Sequence, residues 1–284
     1  MSIEDIILDR DRRGISALRG ELPPSFCEEA ATLILEHPGT VFIATGFYIL
    51  AAGAPETDGP PGAVVIGDAL QSLGYTVVYI SDRHTAPLLT SLVGHRARVV
   101  DFPITDHQAS QRFARDLLAE LTPSVLIAIE RCGFTHDRVY RNMHGQDISP
   151  YNAKLDYLFH DHPHTVGIGD GGNEIGMGNL AQAIPQVASL VKEPCVTRVS
   201  RLVLSSVSNW GGYGLVAALS QLKGRVLLPS VEAEQEMVRQ TVRLGAVDGM
   251  AASPVERVDG FSLEENSQTL VQLHAWLAQE GVTA

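Results

Sequence analysis

Ser124-Val125-Leu126-Ile127-Ala128-Ile129-Glu130-Arg131 decides the fold class. From Val125 to Ile129 every position is apolar, so the segment has no face left for water, and a charged pair follows at once. Strands apolar on consecutive positions are covered on both sides, as in a parallel sheet flanked by helices. Working outward, the same short runs recur at Val41–Thr45, Thr76–Ser81, Arg98–Phe102, Ser124–Ile129, Thr165–Ile168 and Arg201–Val207. Helical patterns separate or follow them at Ala63–Leu73, Ala86–Val93, His107–Leu121, Pro150–Phe159, Gly214–Leu222, Val231–Leu244 and Leu263–Gln279. The alternation predicts a single doubly wound, mainly parallel α/β sheet with helices on both faces. Residues 1–284 read as one domain, with 1–38 as an N-terminal helical arm. The Pro- and Gly-rich stretch Gly53–Gly62 falls between a strand and a helix and reads as a long βα loop, a place where function collects.

Composition narrows the function classes. The chain has 284 residues, 45% of them apolar, which is enough for a buried core and excludes disorder as the main state. No apolar run approaches the roughly 20 residues of a membrane span. A formal charge of −12 argues against nucleic acid or anionic membranes as partners, so an anionic ligand needs local cations or backbone amides. The first residues, Met1-Ser2-Ile3-Glu4-Asp5, carry acids where a secretory signal needs a basic start. Cys27, Cys132 and Cys195 are an odd, widely spaced set that suggests neither disulfides nor a zinc knuckle. A cytoplasmic, reduced protein is expected, and a homo-oligomer formed through an apolar face away from the site is a further expectation.

In open α/β sheets, ligands bind outside the carboxyl ends of the strands. Those ends here are Thr45-Gly46-Phe47, Ser81-Asp82-Arg83, Glu130-Arg131-Cys132-Gly133, Gly169-Asp170-Gly171-Gly172-Asn173-Glu174 and Ser208-Asn209-Trp210-Gly211-Gly212. Turns always favour Gly, Asp and Asn, but Glu130 and Asp170 directly follow apolar strands, where a charge needs a partner or a task. Gly167-Ile168-Gly169-Asp170-Gly171-Gly172 matches a dinucleotide fingerprint in spelling only. It lies past mid-chain, and the next strand does not end in the acid that would hold a ribose. With no Walker-type loop either, no nucleotide cofactor is expected. Asp170 and Glu174, four apart on a turn entering the next helix, are candidate hard-oxygen ligands for Mg²⁺ or Mn²⁺. The alternative is that the acids Glu56, Asp58, Asp82, Glu130, Asp170 and Glu174 cap helices or pair with Arg83, Arg131 and Arg141. His160-Asp161-His162-Pro163-His164 places its histidines on opposite faces if extended and reads as a loop rather than a metal site. Cys132 reads as a packing residue.

Several strings together resemble the D-glutamate cyclase family, more narrowly its C-terminal cyclase-like domain. They are Thr45-Gly46-Phe47, Pro55-Glu56-Thr57-Asp58-Gly59-Pro60-Pro61-Gly62, Ile129-Glu130-Arg131, Tyr140-Arg141-Asn142-Met143-His144-Gly145, Gly167 through Gly178, Ser208-Asn209-Trp210-Gly211-Gly212-Tyr213 and Gly245-Ala246-Val247-Asp248-Gly249. The resemblance runs from about Thr45 to Gly260. It implies a lyase that converts D-glutamate to 5-oxo-D-proline and water, with eukaryotic members carrying an additional N-terminal domain. Where this chain has Cys132, the family pattern leads one to expect Pro or Ala. On this resemblance Thr45, Gly46, Glu56, Asp58, Arg131, Arg141, Asn142, Gly171, Gly172, Asn173, Asn209 and Trp210 are expected around the substrate.

The chemistry can be set against the residues directly. Ring closure needs a base for the α-amine and an acid or Lewis acid for the departing γ-carboxyl oxygen. Glu130, Asp170 and Glu174 are the candidates for this work, with Asp170 and Glu174 as metal ligands. Arg131 or Arg141, and the amides of Gly171 and Gly172, are candidates to hold the substrate's α-carboxylate. The competing expectations are a metal-dependent hydrolase or lyase acting on another small amino acid or carboxylate, and a non-catalytic amino-acid-binding module.

Overall fold

Six strands form one parallel sheet in the computed structural model, which describes residues 1–282. In chain order the strands are β1 (Thr40–Thr45), the short pair β2 (Tyr48–Ile49) and β3 (Ala54–Pro55), β4 (Thr76–Ser81), β5 (Arg98–Asp101), β6 (Val125–Ile129), β7 (Thr165–Gly169), β8 (Arg201–Leu204), and a second short pair, β9 (Arg257–Val258) and β10 (Phe261–Ser262). The sheet order is β5-β4-β1-β6-β7-β8, and every pairing is parallel. Counting sheet strands alone, this is 3-2-1-4-5-6, a doubly wound order whose crevice opens where β1 and β6 lie side by side. The two antiparallel pairs stand outside the sheet.

Residue alternation explains why both faces are covered. Val41, Ile43, Val77, Tyr79, Val125 and Ile127 join one apolar cluster, with α1 (Ile3–Ile7), α2 (Phe26–Glu36), α3 (Pro60–Ser72), α7 (Ser208–Lys223) and α9 (Leu263–Gln279). Phe42, Ala44, Val78, Ile80, Leu126 and Ala128 join another, with α5 (His107–Leu121) and α6 (Asp156–Phe159). The remaining helices are α4 (Ala86–Val93) and α8 (Val231–Arg243). Helix starts follow side-chain chemistry: Asp106 caps α5, and Ser262 with Glu265 forms a capping box on α9.

The expected strands and most helices are present, with three differences. The pattern at 150–159 gives only a 3₁₀ turn at Ser149–Tyr151 and the short α6. There the buried Asp156 carboxylate accepts from the Phe134 amide, the Tyr140 hydroxyl and the Thr197 hydroxyl, and these tertiary bonds outweigh local helix preference. α7 starts at Ser208, six residues before the predicted start, and runs through Gly211 and Gly212. A Cβ at Gly211 would stand 2.5 Å from Ile168 Cγ2, so the missing side chains let the helix lie against the sheet. Finally, no α-helix follows the Gly169–Glu174 turn; 3₁₀ segments at Met177–Leu180 and Ile184–Gln186 lead on to β8. Residues 1–38 are helical, with α1, a 3₁₀ turn at Ile15–Glu21, and α2. Among the described residues no helix is long and apolar enough to cross a membrane.

Candidate functional site

The strand ends β1, β6 and β7 carry the polar residues to one edge of the sheet. Glu130 follows β6 in the left-handed region, at φ +43°, a conformation a non-glycine residue holds only under constraint. The constraint is the loop ahead of α3: a Cβ at Gly59 would stand 2.7 Å from the Glu130 Cβ. The Glu130 Oε2 accepts a 2.5 Å bond from the Ser208 hydroxyl at the start of α7. Burial, and the Glu174, Glu56 and Asp58 carboxylates nearby, push its pKa well up, against the pull of Arg13. Asp170 follows β7 and is fully buried. Its Oδ1 lies 2.5 Å from Arg13 Nη1, whereas Oδ2 has no hydrogen-bond partner. Burial raises the Asp170 pKa well above its usual range; Arg13 opposes this, and Glu130 and Asp259 add to it.

Several expected site residues instead build the scaffold. Glu174 Oε1 accepts from the amides of Asp170 and Gly171, and Oε2 from that of Gly172, so this carboxylate closes its own turn. The expectation that the Gly171 and Gly172 amides hold a substrate carboxylate is corrected by the same bonds, because both N–H groups are already occupied. Asp58 caps α7 from another loop: Oδ1 accepts from Asn209 N at 2.7 Å and Oδ2 from Ser208 N at 2.8 Å. Burial and the Asp259 charge nevertheless push the Asp58 pKa up to about 8, against those amides. Asn209 Oδ1 accepts from Gly59 N and Gly62 N, tying the start of α3 to α7. Arg131 is closed off: it pairs with Asp82 at 2.7 Å and donates to the carbonyls of Gly46 and Ala153. Arg141 pairs with Asp137 and Glu193 towards the surface. Trp210 lies under Arg10 and against Phe261, its Nε1 donating to Asn266 Oδ1, away from the cavity. Thr45 is buried with Oγ1 unpartnered.

A cavity of about 250 Å³ opens beside this edge. It has room for one small molecule. Of the residues expected at the site, Glu56, Glu130, Asn142 and Asn173 line it. Asn142 also shapes its own hairpin, accepting at Oδ1 from the amides of His144 and Gln146. Asn173 reaches the carbonyl of Arg141. The outer wall is Phe47–Ala51 of the β2–β3 hairpin, and the opposite wall includes Gly249, Met250 and Ala252. Gly249 leaves room for Glu56, since a Cβ there would stand 2.4 Å from Glu56 Oε2 and push the carboxylate aside.

Sequence reasoning missed Arg13 and Asp259. Arg13 lines the cavity from the N-terminal arm, and its Nη2 lies 2.6 Å from Asp259 Oδ2. Asp11 builds the turn that presents it, accepting from the amides of Arg13, Gly14 and Ser16. Burial works against the charge of Arg13, but Asp170, Asp259, Glu130 and Glu56 hold its pKa well above the ordinary value. The one sequence signal was Asp9-Arg10-Asp11-Arg12-Arg13, a basic cluster in an acidic chain.

Glu56, Asp58, Glu130, Asp170, Glu174 and Asp259 are thus six buried carboxylates around one guanidinium. Two sets present oxygens within 4.8 Å of one another, Asp58–Asp170–Asp259 and Glu130–Asp170–Glu174, and either could hold a metal ion. Cys132 is buried, and burial pushes its thiol pKa well up, which fits packing and not a nucleophile.

The family model described as D-glutamate cyclase-like, C-terminal, matches residues 3–274. The human protein named "D-glutamate cyclase, mitochondrial" is 29% identical over 310 aligned positions, covering 93% of this chain and 49% of the relative. The chain therefore spans about half the length of that curated relative. Among solved structures, an exopolyphosphatase-related protein from Bacteroides fragilis aligns with TM-score 0.45 at 11% identity, covering 92% of this chain and 58% of that one. A short-chain dehydrogenase/reductase from Burkholderia thailandensis aligns with TM-score 0.27 at 17% identity, covering 51% and 54%. Neither structural likeness carries an argument.

Proposed function

This chain belongs to the D-glutamate cyclase-like C-terminal family, and on that premise we propose that it is an enzyme, a lyase that closes D-glutamate to 5-oxo-D-proline with loss of water. The observation that carries the reading is Glu130: a buried acid in a constrained backbone, facing a small cavity, with its pKa raised well above the ordinary carboxyl value by burial and neighbouring carboxylates.

In this reaction the α-amine nitrogen attacks the γ-carboxyl carbon, the C–N bond forms, and one carboxyl oxygen leaves as water. The α-ammonium must first lose a proton, and the departing oxygen must gain protons. Glu130 in its acid form delivers a proton to that oxygen, and Ser208, bonded to Oε2, holds the carboxyl in place. Glu56, which also faces the cavity, accepts the first ammonium proton. Glu130, having given its own proton to the oxygen, takes the second from the ring nitrogen and passes it to the same oxygen, which leaves as water. One proton returned from Glu56 to Glu130 resets the site. Arg13 is the sole guanidinium or ammonium among the described lining residues, and we assign it one of the two substrate carboxylates. The carboxylates around Asp170 suit a hard divalent ion, Mg²⁺ or Mn²⁺, which when bound would supply Lewis acidity to the γ-carboxyl group. Three free, buried cysteines fit a reducing compartment such as the cytoplasm.

The test is direct. Purified chain, D-glutamate and Mg²⁺ or Mn²⁺ should yield 5-oxo-D-proline, and D170N should lower turnover by about 10²-fold or more while the fold persists. Absence of product, with a melting temperature that rises on adding D-glutamate, would instead identify an amino-acid-binding module. Turnover of a different small carboxylate would identify another hydrolase or lyase.

A further inference from the structure

We propose that the place between Asp170 and Asp259, filled here by the Arg13 guanidinium, is an exchange seat: a divalent cation of the Mg²⁺ or Mn²⁺ class takes the carboxylates, and the displaced guanidinium turns to a carboxylate of the substrate. The inference rests on the cation in the proposed function, and adds to it where the ion sits and what it displaces. It does not depend on D-glutamate being the substrate.

Unmatched oxygens are the first observation. Asp170 gives Oδ1 to Arg13 and Asp259 gives Oδ2. Their other oxygens, Asp170 Oδ2 and Asp259 Oδ1, are buried with no proton donor at all. The Asp170 side chain is 0% exposed and that of Asp259 4%, and a buried unpaired carboxylate oxygen calls for a proton, a water or a cation. Asp58 brings an oxygen within 4.8 Å of theirs. Its Oδ2 accepts one N–H, from Ser208, and retains a lone pair. Three carboxylates offering hard oxygens are a donor set for a small divalent ion that keeps several of its waters. The competing set keeps Asp170 but lacks Asp259 and its unpartnered Oδ1, and its Glu130 and Glu174 have no buried oxygen without a hydrogen bond.

How Arg13 is mounted is the second observation. Its backbone is fixed by the Asp11 turn, while its side chain lines the cavity and is 19% exposed. The guanidinium can therefore swing without moving the arm. A planar fork that releases two carboxylates is already shaped for a third. Before exchange the guanidinium pairs with one oxygen of each acid; after it, the ion meets them with twice the charge.

Mn²⁺ alone, titrated into the full chain without D-glutamate and followed by the electron paramagnetic resonance of the free ion, tests the seat. Removing the internal competitor in R13Q should tighten Mn²⁺ binding by about tenfold or more, and R13K should fall between R13Q and wild type. A gain in binding cannot come from a protein that fails to fold. D259N should weaken binding by about tenfold or more. Crystals soaked in Mn²⁺ should place anomalous density between Asp170 and Asp259, with Arg13 turned into the cavity. Unchanged or weaker binding in R13Q, wild-type binding in D259N, or density elsewhere with Arg13 still on both carboxylates, would overturn the proposal. Failure of the cyclase reading would show up separately, as absent product with these binding results intact.

Discussion

Arg131 and Arg13 are both held by buried aspartates beside the same crevice, yet their surroundings are opposites. Arg131 meets one carboxylate, Asp82, and two backbone carbonyls. Asp82 in turn accepts from the amides of His84 and Ala153. Charge matches charge, and the assembly clamps the end of β1 to the segment before α6. Arg13 meets two carboxylates directly, and four more stand close by. There the acids outnumber the base, and two of their oxygens stay bare. The contrast teaches how to separate a structural ion pair from a working one: in the first one carboxylate answers one guanidinium, although Arg131 Nε makes no hydrogen bond, whereas the second carries surplus acids that stay open to a proton, a cation or a substrate.

The comparison breaks most sharply at Arg131. Replacing it by Met leaves Asp82 buried without its counter-ion, and should cost about 3–5 kcal/mol of stability by urea denaturation. If R131M proved as stable as wild type, the clamp would not be structural. On the other side, E130Q removes a carboxylate from the crowded set. Turnover should fall by about 10²-fold, roughly 2.7 kcal/mol in activation free energy, while the melting temperature holds or rises. A marked loss of stability would place Glu130 with the scaffold.

Counted per titrating group and pH unit, the smallest expected effect is with pH. Glu56, Asp58, Glu130 and Asp170 have raised folded-state pKa values, about 8 for Asp58. Above the unfolded value of about 4, the native state holds protons that the unfolded chain has released, so stability falls as pH rises through this window. The slope is at most about 1.4 kcal/mol per pH unit for each group. Thermal unfolding in chelator should therefore show the melting temperature dropping between about pH 5 and about pH 8, and added Mg²⁺ or Mn²⁺ should flatten that drop. A melting temperature that climbs over this range would show that the surplus charge is already neutralised.

Much of this was legible in the sequence. Runs such as Val125–Ile129 and Thr76–Ser81 have no polar face and can only be covered strands, so the sheet and its edge followed. Glu130 and Asp170 were visible because a charge directly after such a strand lies at the rim. Hydrogen-bond partners were not visible. Whether Glu174 faces a ligand or its own turn, or whether Asn209 reaches a substrate or the Gly59 and Gly62 amides, is decided by packing that leaves no local pattern. Glycines in α7 read as breakers until the sheet is seen pressing on them. Arg13 and Asp259 escaped notice because nothing local connects residues so far apart.

That distance has a consequence for biogenesis. Arg13 precedes Asp259 by 246 positions. At the usual pace of about 5–20 residues per second, roughly 12–50 s of synthesis separate the two. Throughout that interval the acidic strand ends accumulate without the full pairing of their counter-ion. Ile3 and Ile7 of the arm can seat against Gly214 only once α7 exists. The arm is thus synthesised before the helix it seats on, and the ion-pair network around Arg13 can close only after Asp259 has been added.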